Sequence, residues 1–263
     1  MRDRRRMLLS QLGGASFAIP TFDGSHAVFG DEKKGYIECY SSGTITFPKA
    51  GIVDVFVLGS GLKGNDGATV SPAYQAQGGK GGKGAIGQTL NNIDVEGEYT
   101  ITVGAACSST TSANKSIAFG TTANGTRDNG GKGAVSTISG NSGSSSNAVK
   151  GTDGTSYPFG ETSGAFYKKL GAGGGGGGTY YTNASNGYYG GQGSPGNGGT
   201  LGGGKGDNEV TGAGAGSANT GSGGGGGYAE VSMNSSGGYN TPTTTNGGNG
   251  GSGIVIVRWG YAA

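Results

Sequence analysis

The sequence predicts a mainly β protein: a small β-sandwich-like core fused to a bundle of polyglycine II helices, with little or no α-helix. Three observations carry this expectation. Glycine supplies 65 of 263 residues and is gathered into tracts. Within GGKGGKG (78–84) and GGNGGSG (247–253) it returns at every third residue on two phases. Short β-branched and aromatic runs adjoin the tracts, AIGQTL after the first and IVIVRW after the last.

The composition excludes other glycine-rich classes. Glycine stands several-fold above its usual share of about 7%, while proline is scarce, so the collagen repeat is absent. Thirteen tyrosines, eight phenylalanines and a charged fraction of 13% fit disorder badly. The formal net charge is +2, and Arg2, Arg4, Arg5 and Arg6 sit in one short arm, so no footprint for nucleic acid is present. One histidine, His26, excludes a multi-histidine metal site. Cys39 and Cys107 match no C-x-x-C pattern and are read as buried thiols, with a single disulfide as the alternative. No cofactor or metal is expected.

Residues 1–24 form the first unit. Their basic start and short apolar stretch are shared with secretion signals, but Ser10, Gln11, Gly13 and Gly14 interrupt the apolar part. The segment is read as an attachment arm carried by Arg4, Arg5, Arg6, Met7 and Leu8, with a helical turn or two between Arg4 and Leu12. Residues 25–263 form one glycine-rich domain. Its strand signals are GTITF (43–47), IVDVFVL (52–58), AIGQTL (85–90), EYTITV (98–103), KSIAF (115–119), AVSTI (134–138) and IVIVRW (254–259). In EYTITV, Tyr99, Ile101 and Val103 face a core while Thr100 and Thr102 face out. IVDVFVL and IVIVRW are apolar on both faces, which places them centrally with cover on each side. Gly59, Gly61 and Gly64 fit the G-x-G-x-x-G pattern of a dinucleotide loop, which works only where it opens a helix. The glycines and proline of NDGATVSPAYQAQGGKGGKG preclude one, so no nucleotide site is read here.

The glycine tracts are 78–84, 130–133, 171–178, 190–199, 202–206, 221–227 and 247–253. An extended helix of the polyproline II kind has three residues per turn and no internal hydrogen bonds, so its N–H and C=O groups need partners in neighbouring segments. Glycine lets such rods approach closely enough to supply them. The outward column then holds Lys80 and Lys83, Gln192 and Pro195, and Asn249 and Ser252. The tracts 171–178, 190–199, 221–227 and 247–253 are expected to lie side by side. Ordering a residue costs about 1–2 kcal/mol and a net hydrogen bond returns about 1, so the bundle needs a conventional core, and strands and rods should be continuous. Serine-rich 139–155 is read as a surface excursion. A flexible linker is the alternative for the tracts, although linkers need no three-residue phase.

SGTITFPKAGIVDVFVLGSG, GGKGGKGAIGQTL, EYTITVGAA and GGNGGSGIVIVRW, in this order, resemble the glycine-rich domains of tailed-phage virion proteins, found in tail fibres and receptor-binding tips. The resemblance spans most of residues 42–259. It implies β-structure combined with packed polyglycine II helices, and loops presented at the rod ends. Ser60, Leu62 and Lys63 interrupt a run that the family continues in glycine, and Ala106 and Cys107 replace glycine after EYTITVGA, which leaves the number of rods open. By this resemblance the chain is a virion structural protein, a tail fibre or tip adhesin. It would be assembled in the host cytoplasm and exposed on the particle exterior. Its implied partners are other virion proteins, through the arm, and a bacterial surface glycan or protein; a homo-oligomer is compatible. A non-adhesive fibre or decoration protein is the alternative.

For recognition, aromatic side chains offer large contact area with a polar tip. Tyr180, Tyr181, Tyr188 and Tyr189 in TYYTNASNGYYGG are the leading candidates, joined by Tyr157, Phe166, Tyr167, Tyr228 and Tyr239. Packing over the rods is the alternative for each. No carboxylate pair, triad or metal set can be placed, so no enzyme is expected. Neither nucleic-acid binding nor membrane insertion is expected.

Overall fold

A computed structural model describes residues 17–261, apart from 71–74, 140–141, 162, 165, 167, 184–187, 194–197, 200–201, 208–211, 235, 237 and 239. Strands β4 (Gly43–Leu58) and β7 (Gly87–Ile101) pair antiparallel along their lengths. GTITF and IVDVFVL are thus one strand. Pro48, exposed at an irregularity of the ladder between Phe47 and Gly51, sits where its missing N–H does no harm. β15 (Ile254–Trp259) lies between β4 and β3 (Gly35–Cys39), β2 (His26–Gly30) pairs with β3, and β1 (Thr21–Phe22) pairs with the first half of β4. These six strands form a single curled sheet, nearly closed and barrel-like.

β15 is buried along its whole length. Val255, Val257 and Trp259 face the barrel interior with Ile37, Phe47, Val53, Val55 and Val57. Ile254 and Ile256 pack on the other side with Phe56, Leu58, Phe166 and Leu170. This is the two-sided cover expected of IVIVRW. Ile101 and Val103 are buried, Tyr99 packs against the same core, and Thr100 is exposed. Phe17 stacks on Trp259 at 5.5 Å between ring centres. Residues 17–24, expected to end the arm, therefore belong to the barrel, while Arg4, Arg5, Arg6, Met7 and Leu8 lie outside the described residues.

The glycine tracts form extended rods that bond to one another through their backbones. In rod 171–178, Gly173 and Gly176 donate to Thr152 and Val149, Gly174 and Gly177 to Gly82 and Gly79, and Gly175 and Gly178 to Gly204 and Asp207, at 2.8–3.1 Å. Successive N–H groups address three neighbours in turn, as a helix of three residues per turn requires. Its carbonyls accept from Gly131 and Ala134, from Gly223 and Gly226, and from Gly199. Rod 221–227 is surrounded in the same way by rods 59–67, 78–84, 171–178, 202–207, 213–217 and 245–253. The two rods touch each other and share 78–84 and 202–207 as neighbours. Hydrogen bonds join the outer rods in sequence, 202–207 to 213–217 to 245–253 to 59–67 to 78–84 to 129–134 to 149–154, and Gly198 and Gly199 fill the remaining gap. This is a hexagonal array with two interior sites.

The array accounts for where glycine is and is not required. An interior rod has neighbours on every side, so 173–178 and 223–227 are unbroken glycine and every residue of 171–178 and 221–227 is buried. An outer rod needs glycine only on columns that face a neighbour. Lys80, Lys83, Lys132, Lys205 and Asn249 occupy columns that do not. Ser60, Leu62 and Lys63 leave the first rod intact, although Ser60 and Leu62 are buried. Its glycines 61, 64 and 67 face the carbonyls of Ser222, Gly225 and Tyr228, where a Cβ would fall well inside 3.0 Å. The dinucleotide-like spacing of Gly61 and Gly64 is this rod's period of three.

Rods continue as strands at both ends. Toward the barrel, 78–84 leads to β7 and 245–253 to β15. Away from it, 59–67 leads to β5 (Ala68–Val70), 129–134 to β10 (Val135–Ser139), 171–178 to β12 (Thr179–Asn183) and 221–227 to β14 (Ala229–Met233), while β6 (Gln75–Gln77) feeds 78–84. One distal sheet has the order β11-β10-β6-β5, with β11 at Ser142–Ser146, and another the order β13-β12-β14, with β13 at Tyr188–Gly193. The hairpin of β8 (Ser116–Ala118) and β9 (Thr121–Ala123) flanks the barrel. One expectation changes here. Residues 188–193 pair with β12 as a strand, so the rod placed at 190–199 is not formed over 190–193, and Pro195 lies outside the described residues. Within 139–155, Ser142–Ser146 form β11 and 149–154 form a rod whose Gly151 and Gly154 face the carbonyls of Gly173 and Leu170, while Ser144, Ser145, Ser146 and Asn147 stay at the surface.

Where rods meet the barrel, side chains complete the backbone ladder. The Asn129 carbonyl oxygen accepts from the Gly84 N–H at 2.8 Å and its amide donates to the Gly171 carbonyl at 2.9 Å. Ser116 Oγ accepts from the Gly104 N–H and donates to the Leu58 carbonyl. Among the described residues, no buried side-chain nitrogen or oxygen lacks a partner.

Candidate functional site

At the distal end of the bundle the rods pass into strands. Rods 171–178 and 221–227 run parallel, Gly223 and Gly226 donating to Ala172 and Gly175, and they continue as the parallel pair β12 and β14 with Thr179 opposite Ala229. Ala76, Tyr181, Ala229 and Val231 form a small apolar plug over the rod ends. Around it the polar groups are paired. Ser136 Oγ and Thr179 Oγ1 lie 2.6 Å apart, both side chains buried. Thr245 Oγ1 accepts from the Tyr228 N–H and donates to Asp207 Oδ2 at 2.6 Å. Asp66 joins two rods by accepting from the Gly247 N–H and from Lys63 Nζ. Burial opposes the Asp66 charge, but these two donors outweigh it and hold the carboxyl below its ordinary range.

The outer surface of this end is polar and weakly charged. Ser144, Ser145, Ser146 and Asn147 are exposed along and just after β11, as are Asn240, Thr241 and Thr243 beyond β14. Asn240 Nδ2 donates to Ser232 Oγ at 2.9 Å, and Asn234 Oδ1 accepts from the N–H groups of Ser236 and Gly238, which fixes a turn. Such a surface offers hydrogen bonds to neutral or weakly charged partners. Among the described residues, no group of histidine, cysteine or acidic side chains could hold a metal ion.

The candidate aromatics divide between the two ends. Tyr181 (5% exposed) and Tyr228 (3%) are interior to the distal end, and Phe166 (1%) is interior to the barrel end, between Tyr36, Phe159 and Tyr261. These three rings pack; they are not available to a partner. Tyr180 is half-buried on the opposite face of β12 from Tyr181. Tyr188 opposes Asn183 at the start of β13 and Tyr189 follows it, so both stand at the tip of the β12–β13 hairpin. Tyr157 is half-buried at the barrel end. Tyr167 and Tyr239 lie outside the described residues.

At the barrel end, Arg258 ties down residues 156–170, whose ends meet in the Ser156–Leu170 bridge. Its guanidinium pairs with Asp54 at 3.0 Å and with Glu161, and lies 4.0 Å from the Phe159 ring centre. A cavity of about 90 Å³ beside it is lined by Asp54, Asn92, Trp259 and Tyr261. Asp54 already accepts from the Asn92 N–H and from Arg258, so this feature is a structural clamp.

A family model described as a glycine-rich domain matches residues 40–260. The chain belongs to this family. Comparison with curated proteins and with solved structures gave no match. The matched span of the glycine-rich domain takes in β4, β7, β15 and every rod, and leaves β1, β2 and β3 before it. Sequence reasoning singled out TYYTNASNGYYGG as a loop and missed that its ends pair as β12 and β13; it also missed the polar surface of β11, because serine-rich SGSSS carries no strand signal of its own.

Proposed function

We propose that this glycine-rich domain is the rigid presentation module of a phage virion attachment protein, a tail fibre or tip adhesin whose distal loops meet a bacterial surface glycan or protein. The observation that carries the reading is the unbroken passage of the two interior rods into β12 and β14. Loops that leave such strands can vary in sequence without loss of support, and binding groups concentrate on loops held by rigid scaffolds. The N-terminal arm, with Arg4, Arg5, Arg6, Met7 and Leu8, would supply the attachment to other virion proteins. In this reading the domain binds and performs no chemistry.

The test is adsorption of the purified chain to a panel of bacterial cells before and after Tyr180→Ala, Tyr188→Ala and Tyr189→Ala, with melting followed in parallel. Aromatic anchors lose at least about 2 kcal/mol on truncation, roughly thirtyfold in affinity. Folded variants that adsorb like the parent would remove this hairpin from the site. A second reading, a non-adhesive fibre or decoration protein, is favoured by the burial of Tyr181 and Tyr228, which cover the rods. A parent chain that adsorbs to no cell would support it.

A further inference from the structure

The outer columns of the bundle are chemically unequal. On rods 78–84, 129–134 and 149–154, adjacent in the array, Lys80, Lys83, Lys132 and Lys150 occupy columns that face no neighbouring rod, and Arg127 is exposed just before the second of these rods. Two carboxylates answer these five cations: Asp128, 2.5 Å from Lys80, and Asp153, 3.9 Å from Lys150. Lys83, Arg127 and Lys132 have no ion-pair partner among the described residues. On rods 213–217 and 245–253, across the bundle, the corresponding positions are Ala213, Ala215, Asn246, Asn249 and Ser252.

Polyglycine geometry also spaces these charges. Lys80 and Lys83 are one turn apart, about 9 Å along the rod, and hydrogen-bonded neighbours lie roughly 5 Å away, as strands do. The backbone beneath is locked on its other sides, so the cations form a fixed grid that turns from rods 78–84 and 129–134 onto 149–154. A fixed grid of sparse cations fits a linear polymer that carries one charge per bulky unit. It suits single-stranded nucleic acid poorly, because that ligand is held by stacking on aromatic rings, and the described residues of these three rods include none.

We propose that this lysine face binds an acidic polysaccharide lying along the rods, its carboxylates paired with Lys83, Lys132 and Lys150. The distal loops are not involved, so the proposal stands or falls apart from the hairpin test above. Each exposed pair is individually weak, and repetition along the polymer supplies the affinity.

The experiment measures binding of the full chain to polygalacturonate, with neutral dextran and oligo-dT as comparators. The wild-type chain should bind polygalacturonate and not dextran, and should lose at least about fivefold in affinity between 50 and 200 mM salt as counterions return. Lys83→Gln/Lys132→Gln/Lys150→Gln should bind at least tenfold more weakly. The charge-matched Lys33→Gln/Lys49→Gln/Lys115→Gln, at exposed sites elsewhere, should stay within twofold. If the first variant melts early, Lys132→Gln alone should still cost at least twofold. Absence of polygalacturonate binding, equal losses in the two triple variants, unchanged binding by Lys132→Gln in that event, or tighter binding of oligo-dT would each overturn the proposal.

Discussion

Gly224→Ala adds one methyl group at the centre of the bundle. Its Cβ would press against the carbonyls of Gly248 and Asn249, far inside normal contact. Rods 221–227 and 245–253 must then separate. The bonds that join them are Gly221 N–H to the Ser252 carbonyl, Gly248 N–H to the Gly225 carbonyl and Gly251 N–H to the Ser222 carbonyl. At about 1 kcal/mol each they amount to about 3 kcal/mol. Alanine also restricts the unfolded chain, which offsets about 0.4–1 kcal/mol. The net loss is about 2–3 kcal/mol, or roughly 4–12 °C in melting temperature for a domain of this size. Gly125→Ala is the control, since a Cβ there meets only the Ile86 side chain, at 3.6 Å, and its φ lies outside the left-handed region. That variant should melt at or slightly above the wild type. Thermal melts of the two proteins side by side decide the matter. Equal melting temperatures would mean that the tract is linker and that the close approach of the rods is not real.

Arg258→Met should lower stability by about 2–4 kcal/mol, because it leaves the largely buried Asp54 and the partly buried Glu161 unpaired; the urea midpoint should fall with its slope unchanged. Burial pushes the Cys39 thiol up from 9.0 to about 12. The folded chain therefore keeps a proton that the unfolded chain releases, so this stabilisation is complete below about pH 9 and declines as pH rises toward 12, by at most about 1.4 kcal/mol per pH unit. Urea titrations at pH 8, 9 and 10 should show this decline, and Cys39→Ala should reduce its slope.

Period two and period three were legible where a residue type is forced. β15 and most of β4 could be placed because burial on one or both faces demands β-branched residues in register, and parts of β7 and β10 showed through their β-branched residues although few of these are buried. The interior rods could be placed because nothing but glycine fits there. What sequence reasoning lost were elements under weaker constraint. β2 is an exposed edge strand, so HAVFG shows no alternation. Rod 149–154 needs glycine on only one column, and its Gly151 and Gly154 look like loop residues. The reverse error arose at 190–193, where glycines in a three-residue phase belong to a strand because β12 offers a ladder partner. The site was legible to the same degree: TYYTNASNGYYGG stood out as an aromatic segment but was read as a loop, and the alternation that sends Tyr181 into the plug depends on Ala76 of β6 packing against one face of the β12–β14 pair.

Unbroken glycine marks rods enclosed on all sides. Amide hydrogen exchange tests it residue by residue. The amides of 173–178 and 223–227 should exchange as slowly as those of 254–259 in β15, since each N–H is bonded inside the array. Exchange of these glycine amides at the rates of an open chain, with β15 still protected, would contradict it.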